Sequence, residues 1–372
     1  MHGANVEVAQ VVPVPVVLVG AGKVAHAAHL RELRDLRHIV RLAAVIEADP
    51  ARIAAVVAQG FSDTAVCADL DEAVRAGARA ALVCTPWWTH RDVVLACLAR
   101  GLPVLCEKPV SLDLAEIDEL AAAERAAGVP VAAAYMKRHD PVVGLFVEHC
   151  REHLAQGRRL VIDIHDPNAP HQVAHLLPYD PPPFGPQPPP AREALARALG
   201  PGADAAQGEA YARGLGGSLV HQVNLVHAVL DGGHGLYGNL LHADRWAGGD
   251  TVSCRWRPSD DLVVDATHAR LPAHRRYREV LEFTAEDSVA TLTLPSPYAR
   301  DETATLRVES WDAAGGIGTV SLRTGEPGHT GFRRQLTAWA RSLTDDAAPP
   351  LPGLADVRRD TRALHEAARR LS

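Results

Sequence analysis

Between Val16 and about Ala134, short apolar runs recur along the chain and are separated by amphipathic stretches. The runs are Val16–Val19, Leu42–Glu47, Ala80–Cys84, Pro103–Cys106 and Val131–Ala134. Strands that are apolar at nearly every position are buried on both faces, which is the condition of a parallel sheet covered by helices. Stretches at 23–36, 50–58, 69–76, 89–100 and 112–127 supply those helices, the last opened by Ser111 and Asp113 as capping residues. The pattern predicts an α/β, doubly wound domain.

After a predicted helix at 141–156 the chain changes character. Leu177 to Pro190 contains YDPPPFGPQPPP. Proline there removes backbone donors and blocks a helix, so a surface loop or lid edge is expected. Helices follow near 191–199, 205–213 and 218–231. Strand-like runs come next at 251–257, 262–270, 278–284, 289–294 and 304–310, and helices at 329–343 and 354–370 close the chain. The expected organisation is a leader over 1–15, the doubly wound domain over 16–140, and an α+β domain over 141–372. The second domain carries a mostly antiparallel open sheet, and the C-terminal helices pack back on the first domain.

The chain has 372 residues, 47% of them hydrophobic and 22% charged, which suits two packed domains and excludes wholesale disorder. No run approaches the ~20 apolar residues of a membrane helix. Met1 to Pro15 lacks a basic and then apolar leader, so a cytoplasmic protein without a membrane partner is expected. A formal charge of −7, with basic residues scattered among acids, argues against a nucleic-acid partner. The six cysteines (Cys67, Cys84, Cys97, Cys106, Cys150, Cys254) form no C-x-x-C pair and read as buried reduced thiols.

Chemistry enters at Val16-Val-Leu-Val-Gly20-Ala-Gly22-Lys23-Val24-Ala25, where a strand runs into G-x-G-x-x-A and then a helix. Gly20 permits the tight turn, Gly22 lets a pyrophosphate approach the backbone, and Ala25 allows close helix–sheet packing. The second strand ends at Glu47, placed to accept hydrogen bonds from an adenosine ribose and to repel the 2′-phosphate of NADP. NAD is therefore the expected cofactor. Arg52 is the one nearby feature that would admit NADP, and the alternative for Glu47 is a simple strand-end cap.

Two further segments, Cys84-Thr85-Pro86-Trp-Trp-Thr89-His90 and Cys106-Glu107-Lys108-Pro109, together with Tyr135-x-x-Arg138-x-x-Pro141, complete a recognisable set. Over residues 16–141 the chain resembles the glucose-fructose oxidoreductase, inositol dehydrogenase and rhizopine catabolism family, Gfo/Idh/MocA. The resemblance implies a Rossmann domain in which Thr85, Pro86, His90 and Arg138 line the cofactor site. It also implies that Glu107 and Lys108 sit beside the nicotinamide, with Lys108 reaching the substrate hydroxyl. Substrates of the family are mostly sugars, inositols and their derivatives. Without the resemblance, Lys108 reads as an ordinary turn lysine.

Many members carry G-G-x-x-x-D-x-x-x-H on a helix of the second domain. Here the segment is Gly216-Gly217-Ser-Leu-Val-His221-Gln-Val-Asn224-Leu225-Val-His227, with His221 at the acid position and Leu225 at the histidine position. The usual dyad is absent. His221 is one candidate base, because imidazole titrates near ~6.5. His227 is another, about 120° around the helix, with Asn224 as a substrate-orienting residue, and the remaining reading makes both histidines packing residues. Tyr135 and Asp166 are further candidates at the substrate pocket. His171 and His175 have i, i+4 spacing but lack the H-E-x-x-H glutamate, so no metal is expected.

The predicted function is NAD(H)-dependent hydride transfer at a secondary alcohol or carbonyl of a sugar, inositol or polyol derivative, by a homodimer or homotetramer. The intact Glu107-Lys108-Pro109 favours that enzyme. The missing dyad favours a non-catalytic dinucleotide-binding regulator.

Overall fold

The structure is a computed structural model that describes residues 12–167, 172–179, 186–230, 235–312 and 318–371. Strands β1 (Val14–Val19), β2 (Val40–Ile46), β3 (Ala65–Val66), β4 (Ala80–Val83), β5 (Val104–Cys106) and β6 (Val131–Ala133) form one six-stranded sheet in the order β3-β2-β1-β4-β5-β6. Every pairing in it is parallel. Apolar residues at nearly every strand position, such as Val16, Val17 and Leu18, are fully buried between helices on both faces. The strand order reverses between β1 and β4, which opens a crevice at the carboxyl ends of those two strands.

A second sheet has eight strands: β7 (Gly157–Pro167), β8 (Leu240–Trp246), β9 (Thr251–Trp256), β10 (Val263–Leu271), β11 (Arg278–Ala285), β12 (Ser288–Leu294), β13 (Thr305–Trp311) and β14 (Gly318–Thr324). Their order is β14-β13-β12-β11-β7-β10-β9-β8, antiparallel except for β7 with β10. β8 and β14 were not among the expected strands. β14 is exposed along its whole length and β8 mixes charged and apolar residues, so neither carries a burial signal. Along β11 and β12 burial alternates strictly, placing one face in the core. The opposite face carries paired charges, Asp265 accepting from Arg159 (2.9 Å) and Arg255 (2.5 Å).

The helix expected at 218–231 begins earlier. A wide, π-helical stretch, Ala210–Leu219, runs into an α-helix, Val220–Leu230. A Cβ on Gly216 would lie 2.4 Å from the Leu112 side chain, so the glycine lets this stretch press against the first domain. Of the C-terminal helices, Gly331–Ser342 sends Leu336, Trp339 and Ala340 into the core around Val16 and Leu18. The other, Leu354–Arg370, contributes Val357, Leu364 and Ala367 to the larger core, and just before it Pro352 accepts from the Ala133 amide at 2.9 Å. All six cysteines are unpaired and buried. Among the described residues no helix is long and apolar enough to cross a membrane.

Candidate active site

At the end of β1, Gly20 adopts φ +87, and a Cβ there would meet Thr85 backbone atoms at 2.8 to 2.9 Å. Only glycine combines that conformation with that approach. Gly22 is different, since a Cβ would meet nothing nearer than the Cys84 carbonyl at 4.0 Å and would project into the crevice. The chain is thus shaped for a ligand that takes that space, and the cradle fits a dinucleotide pyrophosphate. Ala25 is fully buried, Val24 packs beside it, and the helix starts as a π-helical turn, Ala25–His29.

The Glu47 carboxylate accepts from the Ala21 amide inside the fingerprint (2.8 Å) and from Ala48 (2.8 Å) and Asp49 (3.0 Å). Arg52 lies 3.7 Å from Glu47 and 3.5 Å from Asp49, so two carboxylates already compensate its charge. After β4, Thr85 and Pro86 form a turn tied by the Thr89 hydroxyl, which donates to Pro86 O at 2.8 Å. His90 is buried. Its ring nitrogens face the carbonyls of Pro109 (2.9 Å) and Thr85 (2.8 Å). The expected contact of His90 with cofactor is therefore replaced by a structural role: the ring clamps the Thr85 turn to the Lys108–Pro109 turn, whose peptide is cis.

After β5, buried Glu107 receives a 2.7 Å contact from His29 of the fingerprint helix and one from the Lys108 amide at 3.2 Å. Burial pushes its carboxyl up, but the His29 and Lys108 interactions outweigh that and hold it below the ordinary value. Lys108 Nζ donates to Gly217 O at 2.5 Å. Burial brings the Lys108 pKa down to about 8; Glu107 opposes, while the neighbouring charges of Lys137 and Lys23 add to the depression. His221 is buried with Nδ1 unpartnered among the described residues, and its ring meets Tyr135 edge-on at 6.1 Å. Burial, Lys108 and Lys137 all push its pKa well below the usual imidazole range.

Asp166, at the end of β7, faces the same crevice. It accepts from Gln172 at 2.7 Å, and its charge acts on both Lys23 and Lys108. Residues missed from the sequence complete the lining. Lys137 pairs with buried Glu279 at 2.5 Å, Gln222 donates to the same carboxylate at 2.5 Å, and the Tyr277 hydroxyl donates to it too. Tyr298 lies near Glu107 and Asp166, whose charges, after burial, raise its hydroxyl pKa. The one signal available was the position of Lys137 inside the Tyr135–Arg138 motif.

Two expected substrate residues, Asn224 and His227, and one expected cofactor residue, Arg138, lie elsewhere, and the Tyr135 hydroxyl turns toward the same place. Asp360, fully buried on the last helix, accepts from His227 Nδ1 (2.6 Å) and Asn224 (2.7 Å), and the Tyr135 hydroxyl hydrogen-bonds to it. His227 Nε2 in turn accepts from the Leu236 amide at 3.3 Å, so both ring nitrogens of His227 are engaged within the cluster. Arg138 points to Asn224 (3.4 Å) in the same cluster, not to the fingerprint. The cluster joins three elements, and its polar groups satisfy one another. Sequence reasoning missed Asp360, 133 residues beyond His227. Of the expected histidine pair, His171 lies outside the described residues, as does Asn168, and no cluster of three or more metal-binding side chains occurs among those described.

A reversed parallel sheet, a glycine cradle at its switch point and a carboxylate closing its second strand define a dinucleotide-binding domain, here joined to an open-sheet domain. Residues 14–135 match the Gfo/Idh/MocA oxidoreductase family with NAD-binding Rossmann fold. The inositol 2-dehydrogenase of Arthrobacter sp. (strain FB24) is 33% identical over 140 residues, 37% of this chain and 41% of that protein. Inositol 2-dehydrogenase 1 of Saccharopolyspora erythraea is 40% identical over 103 residues, 27% and 31% of the two chains. The chain thus matches about two fifths or less of the length of these relatives. The 3-ketoreductase KijD10 of Actinomadura kijaniata, solved with NADP and TDP-benzene, shares the fold with a TM-score of 0.70 at 15% identity, over 97% of this chain and 98% of that one. A putative myo-inositol dehydrogenase of Sinorhizobium meliloti 1021 gives 0.65 at 17% identity, over 95% of both.

Proposed function

We propose that the protein is an NAD(H)-dependent oxidoreductase acting at a secondary alcohol or carbonyl of a sugar, inositol or related polyol. The observation that carries the reading is Lys108, a half-buried lysine at the carboxyl end of a parallel strand whose Nζ donates to Gly217 O, with its pKa brought down to about 8, in one crevice with His221 and Asp166. Gly20, Gly22, Lys23 and Glu47 would hold the dinucleotide, with Thr85 and Pro86 shaping the wall and Glu107 and Lys108 next to the nicotinamide. When bound, that group supplies the hydride acceptor or donor.

Lys108 in its neutral form takes the proton of the reacting hydroxyl, and its ammonium returns it in the reverse direction. Depression toward neutrality is what suits the amine to both tasks. His221 accepts a hydrogen bond from substrate and orients it. The expected titration of His221 near neutrality gives way to a ring kept neutral by burial and two lysines, so the proton falls to Lys108. Asp166, Tyr277 and Tyr298 offer polar groups suited to several hydroxyls, and the names of the matching inositol dehydrogenases support a polyol.

NAD over NADP is supported by Glu47 and by the prior engagement of Arg52. Buried thiols support a cytoplasmic setting, and the exposed Val320, Leu322 and Trp311 around β14 support a homodimer or homotetramer. One observation favours a regulator instead: among the described residues no carboxylate orients His221. A screen of purified protein with NAD, NADP and their reduced forms against polyols, inositols, sugar acids and keto-sugars decides. Tight cofactor binding with no turnover on any of them would sink the enzyme.

A further inference from the structure

The second domain reaches over the nucleotide crevice with residues 172–179. At one end, Gln172 donates to Asp166 (2.7 Å) and to Pro167 O (3.2 Å), and accepts from the Ser296 hydroxyl at 2.9 Å. Val173 is fully buried, so the start of the segment is fixed beside the reacting end of the crevice. At the other end, Tyr179 meets the His26 ring edge-on, centroids 5.4 Å apart and planes at 81°. The Arg52 guanidinium lies 5.6 Å from the centre of the Tyr179 ring, within cation–π range.

His26 belongs to the fingerprint helix and is held by Gln59 at 2.7 Å, while Arg52 pairs with Glu47. Both partners of Tyr179 therefore flank the carboxylate that marks the ribose position. The segment runs from the reacting end to the adenosine end, and its last described residue is a flat ring with a polar tip, suited to a purine nucleoside.

We propose that Tyr179, carried by the second domain, forms the outer wall of the adenosine end of the dinucleotide site. This rests on the dinucleotide reading above. It makes the second domain a direct cofactor-binding element as well as the carrier of substrate residues, so cofactor affinity depends on a residue outside the Rossmann domain.

The test is titration of the full chain with NADH, ADP-ribose and reduced nicotinamide mononucleotide, with folding followed by circular dichroism. Tyr179→Ala weakens NADH and ADP-ribose by the same factor, about 5- to 100-fold, the span of a lost aromatic–base contact. It leaves reduced nicotinamide mononucleotide unchanged. Tyr179→Phe, which keeps the ring, stays within about threefold of wild type, well short of the span of a lost contact. Unchanged or tighter ADP-ribose binding by Tyr179→Ala overturns the wall, as does equal weakening of all three probes, which marks a ring that only docks the domains. A Phe variant as weak as Ala also overturns it. Wild-type protein that binds neither NADH nor ADP-ribose overturns the dinucleotide reading itself, a different result from wild-type binding that Tyr179→Ala leaves intact.

Discussion

Lys108 Nζ and Gly217 O, 109 positions apart in sequence, form a 2.5 Å hydrogen bond that joins the turn after β5 to the π-helical stretch of the second domain. A Cβ at Gly217 would lie 2.9 Å from Ala212 O, so the carbonyl that receives Lys108 is presented by a turn only glycine accommodates. Among the described residues no carboxylate pairs directly with the ammonium, and desolvation outweighs the opposing charges of Glu107 and Asp166 to depress its pKa.

Lys108→Met should lower turnover by on the order of 10² to 10⁴ with a smaller change in substrate affinity, because the group acts mainly in the transition state. In the wild type, oxidation should rise as pH climbs through about 8, where the amine becomes neutral. Reduction should fall over the same range. His221→Ala should slow the reaction but keep this limb, whereas Lys108→Met should abolish it. A limb that disappears with His221 and survives loss of Lys108 would reverse the two roles.

The same depression carries a stability cost. Unfolded Lys108 titrates near its ordinary 10.5 and folded Lys108 near about 8. Below pH 8 both states are protonated and the folded state bears the full penalty of a buried charge. Between about 8 and 10.5 the folded amine is neutral while the unfolded one still binds a proton, so the penalty fades as pH rises. Lys108→Met should therefore be more stable than wild type at pH 7, by at most ~3 kcal/mol, with the advantage shrinking toward pH 10. Urea denaturation at both pH values checks this, and an inactive variant less stable at pH 7 would contradict it.

Glu47→Gln keeps an acceptor for the Ala21 amide and removes the charge that repels a 2′-phosphate. The ratio of NADP to NAD affinity should rise by about tenfold, close to 1.4 kcal/mol, as Arg52 is freed to pair with the phosphate. Calorimetry with both cofactors measures it, and an unchanged ratio would remove Glu47 as the discriminating group.

Gly22→Val should leave the fold intact, since the position has open space, and abolish dinucleotide binding, since that space is the cradle. Native circular dichroism with retained NADH binding would show the fingerprint to be a coincidence of spacing.

Asp360→Ala should destabilise the protein by about 3 kcal/mol or more, because His227, Asn224 and Tyr135 all lose a buried acceptor. The pH limb of Lys108 should persist in the variant. A change in the limb without a drop in melting temperature would place the cluster in catalysis.

The sequence alone determined the first domain. Val16–Val19 followed by Gly20-x-Gly22 and ending in Glu47 is a local pattern, in which strand, turn, helix and carboxylate lie within about thirty residues and each residue type follows from backbone geometry. Lys108 was singled out through the family resemblance and Asp166 by its place beside the first strand of the second domain, and each lies at the end of a strand. Only the tertiary structure decided what the polar residues beyond them do. His90, Arg138, Asn224 and His227 have their side chains consumed by carbonyls or carboxylates that the fold brings from 19 to 136 positions away. Lys137, Tyr277 and Tyr298 reach the crevice from elements whose positions depend on packing between the two sheets. The state of Lys108 and His221 is the last such case: a pKa is set by burial and by charges distant in sequence, and neither exists until the domains close on one another.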